Sequence, residues 1–246
     1  EKSSHQVKVN VMDASELYDP EFRKLIKSKE PTIIIPVGSL EQHGAHLPIT
    51  TDSDIVTEIA SRLAKKCGFI VFPTVSYGIS YEHDPLFHAS VYDLDFRNFL
   101  ISILHSLELV MDLKSIIILN GHHGNVEALK KLLKMRGKFS TVTKMPKCYS
   151  YWHFMKHEFD HAGFVETSIM LAISDKVKMK KAKKGLITKG LSEKEIQRIN
   201  KLSTERGGFP KVAKNGVWGD PTKATKKDGE KFLAEIVRNL AKECQS

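Results

Sequence analysis

Residues 32–48 read TIIIPVGSLEQHGAHLP, and residues 115–125 read SIIILNGHHGN. Each stretch opens with a short, unbroken apolar run rich in β-branched side chains. A run without polar alternation is the pattern of a strand buried on both faces, as in a parallel sheet covered by helices. Each run then breaks abruptly into glycine, histidine and acidic or amide residues. In open α/β sheets, ligands bind beyond the carboxyl ends of the strands, so both breaks fall where a site is expected.

Working outward, strands and helices alternate. Asp54 to Lys66 has apolar residues at helical spacing, with Gly68 as a stop. Phe69 to Pro73 reads as a second strand, and Thr74 to Val91 as a long loop. Asp93 to Asp112 reads as a helix with an aspartate cap, Ser115 to Leu119 as a strand and Asn125 to Arg136 as a helix. Thr141 to Tyr149 is a fourth strand weakened by Pro146. Val165 to Ser174 and Lys226 to Lys242 read as helices, and Lys201 to Asp220 as a long surface or active-site loop. This order predicts one α/β domain over 1–246, with a mostly parallel sheet between two helical layers.

The 246 residues are 41% hydrophobic and 27% charged, an ordinary globular balance. No apolar run approaches the roughly 20 residues of a membrane span, and the polar first residues do not read as a signal peptide. Three scattered cysteines give no disulfide framework, so a cytoplasmic protein is expected. The net charge of +9 fits an anionic ligand. The lysine-rich stretch 176–184 has no interleaved aromatic residue, which favours a solvated surface over a nucleic-acid patch.

Glu41 and His43 are two residues apart, so in an extended segment they face one side. With Asp52 they are oxygen and nitrogen ligands suited to zinc, manganese or iron(II). Singly, each has a bland reading: a solvated charge, a satisfied histidine, a helix cap. Together, directly after a buried strand, they favour a metal site. In the second turn only one of two neighbouring histidines is expected to ligate, and His122 is chosen over His123. Asn120 and Asn125 are expected to fix the turn. Glu166 lies in the apolar segment FVETSIMLAI, where a buried carboxylate needs a partner. His161 is placed to donate a proton or hold an oxyanion. Five ligands exceed what one catalytic zinc takes, and they suit two divalent ions bridged by Asp52.

Four stretches, PVGSLEQHGAHLPITTD, NGHHGN, HAGFVETS and GVWGDPTKAT, resemble in order the motifs of the creatinine amidohydrolase (creatininase) family. The resemblance implies an α/β/α sandwich and a homo-oligomer, often a hexamer. It implies metal ligation by Glu41, His43, Asp52, His122 and Glu166, with His161 beside the substrate. It also implies hydrolysis of a non-peptide amide, with creatinine-like cyclic amides first. A formylamino-pyrimidine ribosyl phosphate of riboflavin or deazaflavin biosynthesis is the alternative, and trimming of a modified peptide ranks last. His88, His123 and Trp152 are placed as substrate-binding residues. Two departures stand out. Gly124 occupies a position where creatininase proper has a carboxylate. Phe87-His-Ala-Ser90 replaces the family's Phe-Pro-Gly-Thr turn and signals a different substrate. A non-catalytic metal- or nucleic-acid-binding protein is the competing class; cysteine-poor ligation argues against a structural metal site.

Overall fold

The computed structural model describes residues 13–28, 30–135 and 144–245. In chain order the main elements are α1 (Asp19–Ser28), β1 (Thr32–Val37), α2 (Thr51–Cys67), β2 (Ile70–Val71), α3 (Asp93–Val110) and β3 (Ser115–Asn120). There follow α4 (Val126–Lys134), β4 (Lys147–Ser150), α5 (Phe164–Ile173), α6 (Glu193–Ser203), α7 (Phe209–Val212) and α8 (Lys226–Gln245). The strands form one parallel sheet in the order β2-β1-β3-β4. β1 and β3 are central neighbours, in register from Thr32 opposite Ser115 to Val37 opposite Asn120.

The pleat sends alternate residues to opposite faces. Ile34, Ile117 and Leu119 point into a core shared with α2, α5 and α8. Ile33, Ile35, Ile116 and Ile118 point into the other core, with α3, α4 and apolar residues of α1. This is the three-layer α/β/α arrangement. Burying each of these side chains contributes roughly 1.5–3 kcal/mol, so the two central strands anchor both cores. No helix of the described residues is long and apolar enough to cross a membrane.

Several boundaries differ from the sequence reading. α2 starts at Thr51, so Asp52 lies inside the helix rather than capping it. α3 is preceded by Tyr92, which makes no side-chain cap; Asp93 instead pairs with Arg97 and Lys131. β2 keeps only Ile70 and Val71 in the ladder, although Phe72 and Val75 still donate to the β1 carbonyls of Ile34 and Pro36. β4 begins after Pro146, which has no N–H for a ladder. Arg136 and Thr141 to Thr143 lie outside the described residues.

The stretch read as one loop over 201–220 contains the end of α6 and the whole of α7. α6 carries a capping box: Ser192 accepts from the Glu195 N–H while Glu195 reaches back to Ser192. That Ser-x-x-Glu signal was present in the sequence. The six lysines between 176 and 184 are all exposed.

α8 crosses α5 at Gly229. A Cβ there would sit 1.9 Å from the Ser168 carbonyl oxygen and 2.9 Å from the Ile169 nitrogen. Replacing a helical glycine by alanine stabilises a helix by about 1 kcal/mol. Overpacking against backbone costs about 1–3 kcal/mol. Gly229→Ala therefore lowers the thermal midpoint. A midpoint at or above that of the parent, measured by circular dichroism, would show that the two helices have room to separate.

Candidate metal centre and active site

The loop after β1 and the turn after β3 leave the same edge of the sheet, side by side. Their union is held by amides. Asn125 donates to the Gly38 carbonyl at 3.0 Å and accepts from the Ile79 N–H at 3.0 Å. Asn120 accepts from the His122 N–H at 3.1 Å. The first turn of α2 presses on this turn: a Cβ on Gly121 would lie 2.7 Å from the Asp52 carbonyl oxygen. Such close approach is open only to glycine, and it brings the Asp52 carboxylate to His122.

Glu41, His43, Asp52, His122 and Glu166 converge, and all five are buried. Asp52 stands in the middle. Its Oδ1 is 3.1 Å from His43 Nε2, its Oδ2 is 2.9 Å from His122 Nδ1, and Ser39 Oγ donates to Oδ2 at 2.6 Å. Glu41 Oε2 is 3.3 Å from His122 Nε2, and Glu166 Oε2 is 3.6 Å from His43 Nε2. His43 Nδ1 donates to the Glu41 carbonyl at 3.2 Å, which leaves Nε2 facing the carboxylates. A backbone carbonyl fixing one ring nitrogen so that the other can ligate is the usual support of a metal-binding histidine.

The electrostatics follow from burial. Burial pushes the Asp52 and Glu41 carboxyls up, but facing imidazoles outweigh it and hold both below their usual range: His43 and His122 for Asp52, His122 and His83 for Glu41. Conversely, burial lowers His43 while Asp52, Glu166 and Glu41 raise it to about 10. His122 is raised in the same way by Glu41 and Asp52. Burial pushes Glu166 up, and Asp52 adds to this. Burial lowers His161, helped by His43 and His83.

These residues fit divalent ions. Both carboxylate oxygens of Glu41 and Oε1 of Glu166 are buried without a hydrogen-bond partner. An unpaired buried carboxylate is costly, and a cation aimed at it removes the cost. Ligand atoms bound at 2.0–2.2 Å in a tetrahedron stand about 3.4 Å apart, close to the 2.9–3.6 Å spacings quoted above. Three overlapping groups have ligand atoms mutually within 4.8 Å: His43, Asp52 and Glu166; Glu41, Glu82 and His122; Glu41, His43 and His161.

Glu41, Asp52 and His122 of the cluster line the floor of a cavity of about 770 Å³. His123, Phe159, His161, Phe209 and Trp218 line it, with Lys130 and Arg206. Lys130 is paired to Glu127 and Arg206 to Asp84. Two of the expected substrate residues are elsewhere. His88 has one ring nitrogen 2.9 Å from Asp84 and the other 2.8 Å from Ser90, so it stabilises its loop and does not line the cavity. Trp152 is buried behind Phe159, stacked on it at 4.6 Å between centroids. His46 is a core residue bonded to Thr167 at 2.9 Å. Asp160, ahead of α5, accepts from the Val165 and Glu166 N–H groups, while Glu166 Oε2 accepts from the Ala162 N–H and faces His43.

Two residues escaped the sequence reading. His83 is buried, with Nε2 3.1 Å from Glu41 Oε1. Glu82 lies beside it and lines the cavity. Both sit in the loop between Thr74 and Val91, where Glu82-His83-Asp84 is a run of three metal-competent side chains.

A buried carboxylate–imidazole cluster under an open cavity, at the carboxyl edge of a parallel sheet, defines a metal-dependent hydrolase. The comparisons agree. The sequence profile of the family described as creatinine amidohydrolase matches residues 15–244, and the chain belongs to that family. Its enzymes hydrolyse amide carbon–nitrogen bonds with metal, and this chain is one of them. The mycofactocin precursor peptide peptidase of Mycobacterium ulcerans is 33% identical over 224 residues, covering 86% of this chain and 84% of that protein. A 2-amino-5-formylamino-6-ribosylaminopyrimidin-4(3H)-one 5'-monophosphate deformylase of Methanocaldococcus infernus is 28% identical, covering 89% and 94%. The creatinine amidohydrolase of Pseudomonas putida is 24% identical, covering 64% and 70%. Among solved structures, a creatinine amidohydrolase superposes with a TM-score of 0.76 at 22% identity, covering 94% of this chain and 96% of that one. A creatininase described as the Mn form also gives 0.76, at 21% identity, covering 95% and 97%.

Loading with zinc or manganese should raise the thermal midpoint, because it satisfies oxygens that the fold buries bare. At free metal about 100 times the dissociation constant, each ion contributes about 2.7 kcal/mol. Glu41→Gln and His122→Ala should lose bound metal while keeping the far-ultraviolet spectrum. Full metal content in both variants would remove this site.

Proposed function

We propose that this protein hydrolyses an amide bond in a substrate well above creatinine in size, a peptide-derived amide carrying an aromatic group. The carrying observation is the cavity of about 770 Å³ with Phe159, Phe209 and Trp218 in its wall, above the carboxylate–imidazole cluster. A pocket of that volume suits a ligand of drug-like size rather than a single small ring. The likeness to a mycofactocin precursor peptide peptidase supports the same reading. Peptide trimming ranks last on sequence alone, and the cavity volume, which only the folded chain shows, moves it to first.

In this proposal Glu41, Asp52 and His122 would hold one divalent ion, and His43, Asp52 and Glu166 a second. Bound there, zinc, manganese or iron(II) supplies a water of lowered pKa and polarises the carbonyl under attack. The chain's own residues do the rest. The aromatic walls orient the substrate and exclude bulk water. His161 lies between the cluster and the cavity, its Nδ1 3.8 Å from Glu41 Oε1. Its Nε2 donates to the Gln42 carbonyl at 3.1 Å, which fixes the ring and leaves Nδ1 facing inward. As the water oxygen adds to the carbonyl carbon, the unprotonated Nδ1 accepts a proton from that water, and as the carbon–nitrogen bond breaks it passes the proton to the departing nitrogen. The second water proton is shared between the products, which leave as a carboxylate and an ammonium group. We place this chemistry in the cytoplasm and in one domain.

A second reading, deformylation of a formylamino-pyrimidine ribosyl phosphate, is favoured by Lys130 and Arg206 in the cavity and by the deformylase relative. The two are separated by turnover on a short peptide with an aromatic C-terminal residue, on the formylated ribosyl phosphate and on creatinine. The peptide should exceed creatinine in kcat/KM by at least about a hundredfold, a difference of about 2.7 kcal/mol. Turnover confined to the ribosyl phosphate would establish the second reading, and turnover confined to creatinine would overturn both.

His161→Ala should keep its metal and lose about 10²–10⁴-fold in kcat. Unchanged kcat would assign the proton to another group. The proposal includes a homo-oligomer, supported by the exposed Leu94, Phe99, Leu109 and Val110 on α3. Light scattering should give a multiple of the 27.8 kDa chain, six for a hexamer; a particle of single-chain mass would dismiss it.

A further inference from the structure

Creatininase proper carries a carboxylate where this chain has Gly124, in the turn after β3. The space is already filled. A Cβ on Gly124 would lie 2.0 Å from the Ile79 carbonyl oxygen, 2.5 Å from His122 Nε2 and 2.8 Å from Glu82 Oε1. A side chain at 124 and the present course of the 79–83 loop are therefore mutually exclusive. What the loop brings in place of that side chain is a carboxylate.

We propose that Glu82 is a further carboxylate ligand of the ion that Glu41 and His122 would hold. Its Oε1 is 3.6 Å from His122 Nε2, and Glu41, Glu82 and His122 each offer a ligand atom within 4.8 Å of the others. Glu41, fully buried, aims two oxygens without hydrogen-bond partners into the same space. Glu82 is 14% exposed and lines the cavity, so it approaches from the open side, where a catalytic ion keeps its exchangeable positions. The loop is held in place from both ends. The Ile79 N–H donates to Asn125 at 3.0 Å, and the Tyr81 carbonyl accepts from the Gly207 N–H at 2.9 Å. The same asparagine that ties the β3 turn to the β1 loop thus carries Glu82 to the cluster.

This inference rests on the dinuclear reading of the cluster, and the test separates the two. The parent, Glu82→Gln, Glu82→Asp and Glu41→Gln are stripped with chelator and reloaded with zinc. Ions per chain are counted by elemental analysis, and zinc dissociation constants are read by competition with a chromophoric chelator. Metal-free Glu82→Gln should unfold at the same temperature as the metal-free parent, since the side chain is isosteric and faces the cavity. In Glu82→Gln one of the two ions should weaken by at least about tenfold, the range for altered support of a metal site, and the other should bind as in the parent. Glu82→Asp, with a shorter carboxylate, should fall between. Parental affinity for both ions in Glu82→Gln, with loss in Glu41→Gln, overturns the role of Glu82 and leaves the metal site standing. Weakening of both ions alike overturns the assignment to one half. Parental metal binding in Glu41→Gln overturns the site itself, and this inference with it.

Discussion

The structure depends on the burial of Glu41, Asp52 and Glu166 within a few ångströms of one another. Removing a carboxylate from water costs several kcal/mol even after the protein relaxes, and three neighbouring negative charges repel. The fold offsets part of this with the imidazoles of His43 and His122, whose proton affinity the facing carboxylates raise. It leaves three oxygens of Glu41 and Glu166 bare. A cluster poised in this way favours dications, which supply in one step the charge that several protons supply imperfectly. Stability and function therefore draw on the same interaction.

The rest of the molecule serves to hold that cluster still. Two central parallel strands end side by side, so two loops distant in sequence meet at one edge. The first turn of α2 adds Asp52, and the first turn of α5 adds Glu166. Behind the ligands stands a set of residues with no role at the reacting bond: Ser39 on Asp52, the Glu41 carbonyl on His43, Asn120 and Asn125 across the loops, and Asp160 at the start of α5. Such support costs little flexibility where the catalytic geometry has to be exact to a fraction of an ångström.

Most of the cavity wall comes from segments other than those of the five converging residues, although the loop before α3 also brings Glu82 and His83 to them. The cluster comes from the sheet edge, whereas the cavity wall comes from the loop before α3 and from α6, α7 and the segment at Trp218. Loops on a rigid scaffold change without disturbing what lies beneath. That separation allows one family to include peptidases, deformylases and creatininases. It also places the change at Phe87 to Ser90 in the layer that varies, whereas Gly124 lies in the turn that carries His122. His88 illustrates the point: it replaces a family turn residue, yet its ring nitrogens face Asp84 and Ser90 rather than the cavity.

The sequence by itself determined the parallel sheet, the two helical layers and the five residues that converge. Unbroken β-branched runs fix buried strands locally, and acids and histidines set between glycines have few other uses at a strand end. Local signals also marked α6, through Ser192 and Glu195, although the glycine- and lysine-rich stretch around it suggested a loop. Only the tertiary structure decided that Asp52 stands between two histidines, that Trp152 is walled off by Phe159, and that Glu82 and His83 reach the cluster. The reason is physical. Strand and helix periodicities report which side of an element a residue faces, over a few residues. Contacts between Glu82 and His122, forty residues apart, depend on which loops leave the same sheet edge and how closely glycines let them approach, and no local period encodes that.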